Sequence, residues 1–327
     1  MKVLVTGSAG HLGEALASVL AANGYEVVGL DIKASPHTTV VGSIVDRHMV
    51  QACMQGVKAV FHTATLHKPH VATHTHQQFI DTNITGTLNL LQEAVAAGVD
   101  SFIFTSTTSV FGDALIPPKE EPAAWITEDV KPIPKNIYGV TKAAAEDLCQ
   151  LYYRNHGLPC LILRTSRFFP EEDDNKTMRD AYTDDNLKAN EFLSRRVDIE
   201  DTVSAHIAAL NCATAIGFGK YIISATTPFS INDLQHLRNN MPAVVKRLAP
   251  GYEEVYAQLG WKMFPGIDRV YVNDLARQQL GWQPKYDFAA VVERLKNGGT
   301  IKSALAHTIG SKGYHTEQFE EGPYPVH

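Results

Sequence analysis

Short apolar runs alternate with longer stretches of helical periodicity along residues 1–165. The runs are apolar almost throughout, which is typical of strands buried on both faces of a sheet. They predict five strands: Lys2–Thr6, Glu26–Leu30, Val57–His62, Ser101–Thr105 and Cys160–Arg164. The stretches between them predict four helices: His11–Asn23, Asp46–Met54, Phe79–Ala97 and Tyr138–His156. Strands and helices in alternation predict an α/β fold with a doubly wound parallel sheet.

The rhythm changes after residue 165. A helix at Asp201–Ala213 and a strand at Tyr221–Ser224 are expected to complete the first unit within about residues 196–228. The remaining segments, 166–195 and 229–297, are expected to form a smaller substrate lobe that is interleaved with the first unit.

Two segments outside this pattern are predicted to be irregular. Residues 298–327 contain five glycines and two prolines and are expected to form an extended tail. The acidic run Glu171–Asp174 is expected to be a solvated loop rather than a cation site, because neighbouring like charges repel and no ligand spacing is evident.

Composition excludes several classes of partner. The 327-residue chain has a net charge of −6, without the basic excess of a nucleic-acid binder. No apolar run approaches the ~18 residues of a membrane span. The four cysteines are scattered, which favours a reducing, cytoplasmic setting over a disulfide framework. We therefore expect a small-molecule substrate, with no nucleic acid and no membrane as partner.

A glycine-rich loop follows the first predicted strand and opens the first predicted helix, in the order Gly7-Ser8-Ala9-Gly10-His11-Leu12-Gly13. Such glycines permit a tight turn and close approach of the backbone to a pyrophosphate, which the helix N-terminus then attracts. Asp31 ends the second predicted strand, where a carboxylate accepts hydrogen bonds from ribose hydroxyls and repels a 2′-phosphate. The pattern therefore favours NAD, with NADP as the alternative that the nearby Lys33 leaves open.

A second candidate group lies farther along the chain. Tyr138 and Lys142 are four residues apart, so they share one face of a predicted helix. The ammonium would lower the pKa of the phenol, which could then take a hydroxyl proton while hydride leaves the same carbon. The hydroxyl-rich segment Ser106–Ser109 follows a predicted strand, where ligands of open α/β sheets bind.

An ordered series of motifs resembles the extended short-chain dehydrogenase/reductases of the NAD-dependent epimerase/dehydratase family. The series comprises TGSAGHLG (6–13), Asp31, HTAT (62–65), TNITGT (82–87), TSTTSVFG (105–112), PKNIYGVTK (134–142), IEDTVSAH (199–206) and LGWQP (280–284). The resemblance implies a Rossmann fold with a smaller C-terminal substrate lobe. It also implies that Thr107 holds the reacting oxygen, that Tyr138 is the acid/base, and that Lys142 binds the nicotinamide ribose.

The resemblance also implies the remaining contacts of the site. Cofactor contacts are expected from Gly7, Ala9, Gly10, His11, Leu12, Gly13, Asp31, Ile44, Thr63, Ala64, Asn83, Tyr138 and Lys142. Substrate contacts are expected from His67, Thr108, Arg167 and Arg269. A homodimer is expected through the helices Phe79–Ala97 and Tyr138–His156, for which Leu148, Leu151 and Tyr152 could supply apolar contacts.

Departures from the family narrow the chemistry. Thr108 and Ser109 stand where dehydratases of this family have an Asp-Glu pair, which disfavours water elimination. Arg167 replaces the asparagine that contacts substrate in nucleotide-sugar enzymes, and its guanidinium suits a carboxylate or phosphate unless an internal salt bridge occupies it. The segment between Arg164 and Asp201 is short and resembles that of uronate dehydrogenases.

Five histidines fall between His62 and His76, and His67, His70 and His74 could share a helix face. A zinc set, a contact to substrate or cofactor, and solvated histidines are all open interpretations. Because Pro69 would interrupt such a helix, no metal is predicted.

The leading hypothesis is an NAD-dependent oxidoreductase that takes hydride from a secondary alcohol of a small sugar or sugar acid. The first alternative is an epimerase, acting on a sugar or nucleotide sugar like UDP-glucose 4-epimerase, which returns the hydride and retains NAD. The alternative from another class is a non-catalytic NAD(P) sensor.

Overall fold

A computed structural model describes residues 1–118, 120–313, 315 and 319. Nine strands are assigned within these residues: β1 (Lys2–Thr6), β2 (Glu26–Asp31), β3 (Val40–Val41), β4 (Ala59–His62), β5 (Ser101–Thr107), β6 (Ala124–Ile126), β7 (Cys160–Thr165), β8 (Phe218–Ile223) and β9 (Arg269–Tyr271). Seven of them form one parallel sheet in the order β3-β2-β1-β4-β5-β7-β8, and β6 pairs with β9 in parallel. The predicted α/β fold with a doubly wound parallel sheet is confirmed.

Fourteen α-helices are assigned within the same residues. They are α1 (His11–Ala22), α2 (Arg47–Cys53), α3 (His76–Phe79), α4 (Gly86–Ala96), α5 (Ile137–His156), α6 (Lys176–Ala181), α7 (Asp184–Glu191), α8 (Ile199–Ile216), α9 (Leu234–Asn239), α10 (Met241–Leu248), α11 (Tyr252–Leu259), α12 (Asp274–Leu280), α13 (Phe288–Lys296) and α14 (Ala304–Ile309). Short 3₁₀ turns lie at Lys68–His70, Thr108–Val110 and Ile231–Asp233.

Two apolar layers cover the two faces of the large sheet. One layer packs α1, α8 and α12 against the sheet around Leu16, Phe61 and Tyr221. The other packs α2, α4 and α5 around Phe102 and Phe104. Both faces of the sheet are therefore buried, which is why its strands are apolar almost throughout.

A third apolar cluster lies apart from the sheet. It joins α7, α9, α10, α11 and α13, with Phe192, Met241, Tyr256, Phe264 and Phe288 among its buried members. Tyr256 donates a hydrogen bond of 2.9 Å to Asn190, which ties α11 to α7. This core belongs to the segments that were expected to build the substrate lobe.

The helix predicted over Phe79–Ala97 is interrupted. The structure has α3, then a π-helical stretch at Ile80–Thr85, and then α4. A π-helical turn accommodates an extra residue and is frequent at functional sites. The periodicity of apolar residues does not reveal the π-helical stretch, because the chain continues through it in nearly the same direction.

The expectation of an extended tail from residue 298 is wrong for the residues described. Ser303 caps α14 by accepting a hydrogen bond from the Ala306 amide, and its own amide donates to Asp198. Ile301 and Ile309 are buried in two different apolar clusters. Glycine and proline content did not reveal these two buried anchors. Residues 314, 316–318 and 320–327 of the expected tail lie outside the described part.

The acidic run Glu171–Asp174 is not a solvated loop. Asp173 and Asp174 are buried beside Arg167, and Glu171 accepts a hydrogen bond of 2.8 Å from His11. The repulsion between these neighbouring carboxylates is offset because Arg167 pairs with Asp173 and Asp174, Lys68 also pairs with Asp174, and His11 pairs with Glu171. These partners are distant in sequence or depend on the fold, so the acidic run by itself did not show them.

Candidate active site

The glycine loop after β1 has a conformation that only glycine allows at two positions. Gly7 has a φ of +73°, and a β-carbon there would lie 2.8 Å from the Ala64 amide nitrogen. A β-carbon on Gly13 would lie 1.9 Å from the Gly7 carbonyl oxygen. Helix α1 therefore begins directly against the loop, at the switch point between β1 and β4.

The start of α1 forms a cradle for an anion. Gly10 precedes the helix and offers no side-chain cap, so the first amides of α1 have no acceptor within the helix. These amides and the helix dipole favour a phosphate at this position. The backbone here borders a cavity of about 730 Å³, to which Gly7, Ala9, Gly10, His11, Leu12 and Gly13 contribute.

Asp31, at the end of β2, borders the same cavity. Its carboxylate accepts 2.9 Å and 2.8 Å hydrogen bonds from the amides of Ala9 and Lys33. These bonds hold the carboxylate beside the glycine loop, where it fits a pair of ribose hydroxyls and would repel a 2′-phosphate. The predicted contacts Ile44, Thr63 and Ala64 also border the cavity. The chain's own residues thus fit NAD.

Asn83 is brought near the cavity but does not border it. Its amide nitrogen donates to the Leu66 carbonyl and to Thr141 Oγ1, both at 2.9 Å. Its amide oxygen accepts from the Leu66 amide and from Thr65, also at 2.9 Å. In this structure Asn83 ties the loop after β4 to α5, and its own side chain does not border the cavity.

The hydroxyl-bearing residues of the second candidate group meet where β5 ends and α5 begins. Thr107 is the last residue of β5, and Asn136 caps α5 by accepting from the Gly139 amide. A β-carbon on Gly139 would lie 2.9 Å from the Ser109 carbonyl oxygen, so glycine lets α5 approach the end of β5 closely. This approach brings the Tyr138 phenol close to the Thr107 hydroxyl, and both residues border the cavity.

The electrostatics of Tyr138 and Lys142 are dominated by burial. Burial raises the pKa of Tyr138 to about 12, although the hydrogen bond with Thr107 acts in the opposite direction. Burial also lowers the pKa of Lys142 to about 7. The Lys142 ammonium donates a 2.5 Å hydrogen bond to the Thr105 carbonyl and lies 4.0 Å from the centre of the Phe104 ring. The expected lowering of the tyrosine pKa by Lys142 is thus not seen here.

A buried ion pair, which the sequence analysis missed, supports this end of the sheet. Glu146 of α5 accepts 2.7 Å and 3.0 Å hydrogen bonds from Arg164 of β7 and a 2.6 Å bond from Ser106 of β5. Burial raises the pKa of Glu146, but Arg164 outweighs it and holds that pKa below its usual range. The available signal was the charged side chain of Arg164 at the end of the otherwise apolar predicted strand Cys160–Arg164.

Aromatic and imidazole rings border the other end of the cavity. The His67 ring stacks on Phe169 with centroids 5.6 Å apart and meets the Tyr138 ring edge-on at 6.5 Å. Phe168 and Thr108 also border this end. Substrate contacts from His67 and Thr108 stay predictions, and the structure places both residues where such contacts can form.

The two arginines predicted to contact substrate have different surroundings. Arg167 borders the cavity, but its Nη1 donates to Asp173 and, at 2.9 Å, to Glu191, while its Nη2 donates to Asp174 at 2.9 Å. The internal salt bridge, which was the alternative for Arg167, is therefore present. Arg269 donates to the Gly112 carbonyl at 3.1 Å and is not brought to the cavity.

The histidine-rich segment forms a row of rings rather than a metal centre. His70 lies between His67 and His74, with ring centroids 4.7 Å and 5.0 Å apart. His70 Nδ1 accepts a 3.1 Å hydrogen bond from the His67 amide. Burial lowers the pKa of His70 to about 4, so its ring is neutral near pH 7. No group of side chains suited to a metal ion occurs among residues 1–118 and 120–313 or at positions 315 and 319.

The C-terminal segment reaches the cavity, which the sequence analysis did not anticipate. Ser311 donates a 2.7 Å hydrogen bond to Glu171, and the Lys312 ammonium pairs with Glu14 at 2.8 Å. Lys312 and Gly313 border the cavity beside the glycine loop. This segment thus borders the cavity next to the helix whose N-terminus is expected to bind the pyrophosphate.

Three features define the class of dinucleotide-dependent oxidoreductases: a parallel sheet with a glycine loop at its switch point, a Tyr138–Lys142 pair, and a cavity between the loop and the pair. Comparison with known proteins gives the family. The profile of the NAD dependent epimerase/dehydratase family matches residues 3–217, and the chain belongs to that family. It is therefore an NAD-dependent epimerase or dehydrogenase of the extended short-chain dehydrogenase/reductase type. Within the described residues, no helix has the length and apolar character that a membrane span requires.

Individual relatives agree with this assignment. UDP-glucose 4-epimerase of Rhizobium meliloti is 27% identical over 334 aligned residues, which cover 90% of this chain and 96% of the relative. The structure of UDP-N-acetylglucosamine 4-epimerase from Bacillus cereus gives a TM-score of 0.63 at 20% identity, covering 90% of this chain and 97% of the other. A short-chain dehydrogenase/reductase superfamily protein from Agrobacterium tumefaciens with bound NAD gives 0.62 at 23% identity, covering 91% and 98%.

Proposed function

We propose that this protein is an NAD-dependent dehydrogenase that oxidises a secondary alcohol of a small carbohydrate-like substrate. The observation that carries the proposal is the position of Tyr138 beside Thr107 at the wall of the cavity that the glycine loop also borders. An acid/base group, an oxygen-holding hydroxyl and a dinucleotide cradle thereby share one cavity.

Each residue of this group has a distinct role in the proposal. Bound NAD supplies the hydride acceptor. Thr107 holds the substrate hydroxyl, and Tyr138 takes its proton. Lys142, on the same face of α5, supplies positive charge that offsets the cost of a buried phenolate. Thr107 and Tyr138 are both nine-tenths buried or more, so these hydrogen bonds form largely out of water.

Support for a substrate without a nucleotide comes from the segment after β7. It folds back through α6 and α7 and packs α7 into the third apolar cluster. Arg167, the one arginine of the predicted contacts that borders the cavity, already has carboxylate partners. A second pyrophosphate, in addition to that of NAD, would compete with these carboxylates for the guanidinium.

An epimerase is the second candidate, and one structural observation favours it. Lys312 and Gly313 border the cavity that the glycine loop also borders, and a segment in that position would slow the release of a bound dinucleotide. UDP-glucose 4-epimerase of Rhizobium meliloti, which this chain matches over 90% of its length, also supports this candidate. An epimerase returns the hydride to the substrate, so its cofactor need not leave.

One experiment separates these candidates. Purified protein is incubated with NAD and a panel of sugars, sugar acids and nucleotide sugars, while NADH is followed by absorbance and sugar isomers by chromatography. A dehydrogenase forms NADH in proportion to substrate, whereas an epimerase forms an isomer without net NADH. Tyr138→Phe should lower either rate by about 10²–10⁴-fold. Tyr221→Phe removes a hydroxyl bonded to Gln279 away from the cavity and serves as the control. Full activity in Tyr138→Phe would exclude Tyr138 as the acid/base, and no turnover with any substrate would leave the sensor alternative.

We also propose that the protein is a homodimer through α5. Val140 and Leu151 are 49% and 41% exposed, and eleven residues apart they share one helix face. Tyr152, one of the predicted contacts, is instead buried in the protein's own core. Leu151→Glu should convert a dimer to a monomer in light scattering coupled to gel filtration. Leu259→Glu, at a similarly exposed leucine of α11, should not.

A further inference from the structure

The hydroxyl of Ser166 is buried without a hydrogen-bond partner among the described residues. Ser166 directly follows β7, is 3% exposed and borders the cavity. Its backbone is fixed, because the Ser166 amide donates a 2.8 Å hydrogen bond to the Ile223 carbonyl. Leaving a buried hydroxyl without a hydrogen-bond partner costs free energy. A ligand that supplies the missing partner would recover that free energy.

The position of Ser166 places it beside the reacting group. Thr165 is in register with Thr107 across the β5–β7 pair, and Ser166 is the next residue. Adjacent strands lie about 4.8 Å apart, so Ser166 lies within one or two strand spacings of Thr107. The Thr165 hydroxyl, by contrast, already donates to the Ser106 carbonyl at 3.0 Å. Of the two neighbouring hydroxyls, on Thr165 and Ser166, only that of Ser166 is left for a ligand.

The charges around Ser166 indicate which ligands fit. Both terminal nitrogens of Arg167 donate to carboxylates, so its fork is not open to a carboxylate or phosphate of the substrate. Lys68, the other long cation at this end of the cavity, pairs with Asp174. Uncharged hydroxyls at Thr107, Thr108 and Ser109 make up the neighbouring wall.

We infer that Ser166 is a specificity residue that hydrogen-bonds a hydroxyl next to the reacting carbon of a neutral, polyhydroxylated substrate. The inference rests on the proposed function and narrows its substrate class from sugars and sugar acids to uncharged sugars. The side chain contributes to substrate binding and takes no part in proton or hydride transfer. Thr107 and Tyr138 hold the reacting hydroxyl, and Ser166 holds its neighbour.

The test measures binding separately from turnover. The Tyr138→Phe protein with NAD bound is titrated by calorimetry with free hexoses and pentoses, their monodeoxy forms, the matching uronates and UDP-glucose. Neutral sugars should bind more tightly than the uronates and UDP-glucose. Adding Ser166→Ala should weaken binding of the preferred sugar on the order of 10-fold, the effect of one hydrogen bond. The deoxy form that lacks the contacted hydroxyl should bind both proteins equally, as a double-mutant cycle requires.

Stability distinguishes this role from a structural one. Ser166→Ala removes an unsatisfied group, so its melting temperature should be unchanged or higher, and its affinity for NAD unchanged. Ser224→Ala is the matched control: that buried hydroxyl donates to the Arg196 carbonyl, so its loss should lower the melting temperature and leave sugar binding unchanged.

Three results would overturn the inference. They are a lower melting temperature in Ser166→Ala, an equal loss of affinity for every deoxy sugar on this substitution, or tighter binding of uronates or UDP-glucose than of neutral sugars. Failure of the proposed function has a different signature. Sugars would then bind in a Ser166-dependent manner, yet the protein with Tyr138 intact would form no NADH.

Discussion

Nε2 of His11 and Oε1 of Glu171 lie 2.8 Å apart, although 160 residues separate them in the chain. His11 begins the helix of the glycine loop, and Glu171 belongs to the segment after β7. Ser311 donates to the same carboxylate oxygen at 2.7 Å. One carboxylate thus joins the cofactor loop, the substrate segment and the C-terminal segment.

Removal of this carboxylate should loosen the C-terminal segment. In Glu171→Ala, His11, Ser311 and the Lys312 amide lose a shared acceptor, so we expect NADH to dissociate on the order of 10-fold faster. Stopped-flow fluorescence of NADH release measures this rate. Glu172→Ala changes the exposed neighbour and should leave the rate unchanged. Equal rates in Glu171→Ala and the wild type would show that the segment does not retain the cofactor.

Substitutions in the glycine loop should differ sharply in their effect. In Gly13→Ala the new β-carbon would lie 1.9 Å from the Gly7 carbonyl oxygen, so the loop must move and NAD binding should be lost. In Gly10→Ala the nearest atom is 3.3 Å away, so we expect a loss of affinity of about 10-fold or less. Calorimetric titration with NAD measures both. Comparable affinities for the two variants would contradict the packing described here.

Asn83 should affect catalysis through Thr141 and the loop after β4. Asn83→Leu removes four hydrogen bonds, and we expect the free energy of unfolding to fall by about 2–4 kcal/mol and kcat to fall on the order of 10-fold. Denaturant titration and steady-state kinetics measure the two effects. Asn89→Leu is the comparison. Asn89 donates to the Ile44 and Val45 carbonyls, so this substitution should raise KM for NAD rather than lower kcat. A normal kcat in stable Asn83→Leu protein would exclude the positioning role.

Asp201 should make stability depend on pH. Burial raises its pKa from 3.8 to about 6, even though the amides of Lys285 and Tyr286 donate to the carboxylate at 2.8 Å and 2.9 Å. The folded state therefore holds a proton that the unfolded state has released between these two pH values. Stability from this group is present below pH 3.8 and is lost as pH rises through about 6, on the order of 3 kcal/mol in all.

The comparison variant for this prediction is Asp201→Asn, which cannot titrate. Chemical denaturation at several pH values should show a smaller fall in its free energy of unfolding between pH 4 and pH 6 than in the wild type. Parallel curves for the two proteins would contradict the raised pKa. The bonds from residues 285 and 286 also explain why IEDTVSAH and LGWQP occur together: the carboxylate of the first motif holds the backbone that follows the second.

Local patterns predicted much of this protein correctly. The five predicted strands and the order of helices are present because burial on both faces demands continuous apolar strands, and the glycine spacing requires α1 to begin against its loop. These features depend on residues that are close in sequence. The family motifs named Thr107 and Tyr138, which the fold brings together at the wall of one cavity.

Contacts between distant segments were decided only by the tertiary structure. The acidic run became a set of buried partners for His11, Lys68 and Arg167, and the supposed tail gained α14. The unpartnered hydroxyl of Ser166 likewise depends on what surrounds it in space. A sequence fixes which charges and hydroxyls a segment carries. Whether each charge or hydroxyl is solvated, paired or left for a ligand depends on the groups that the fold brings next to it. Water satisfies a polar group at the surface, but burial removes that water, and a group without a partner then costs free energy.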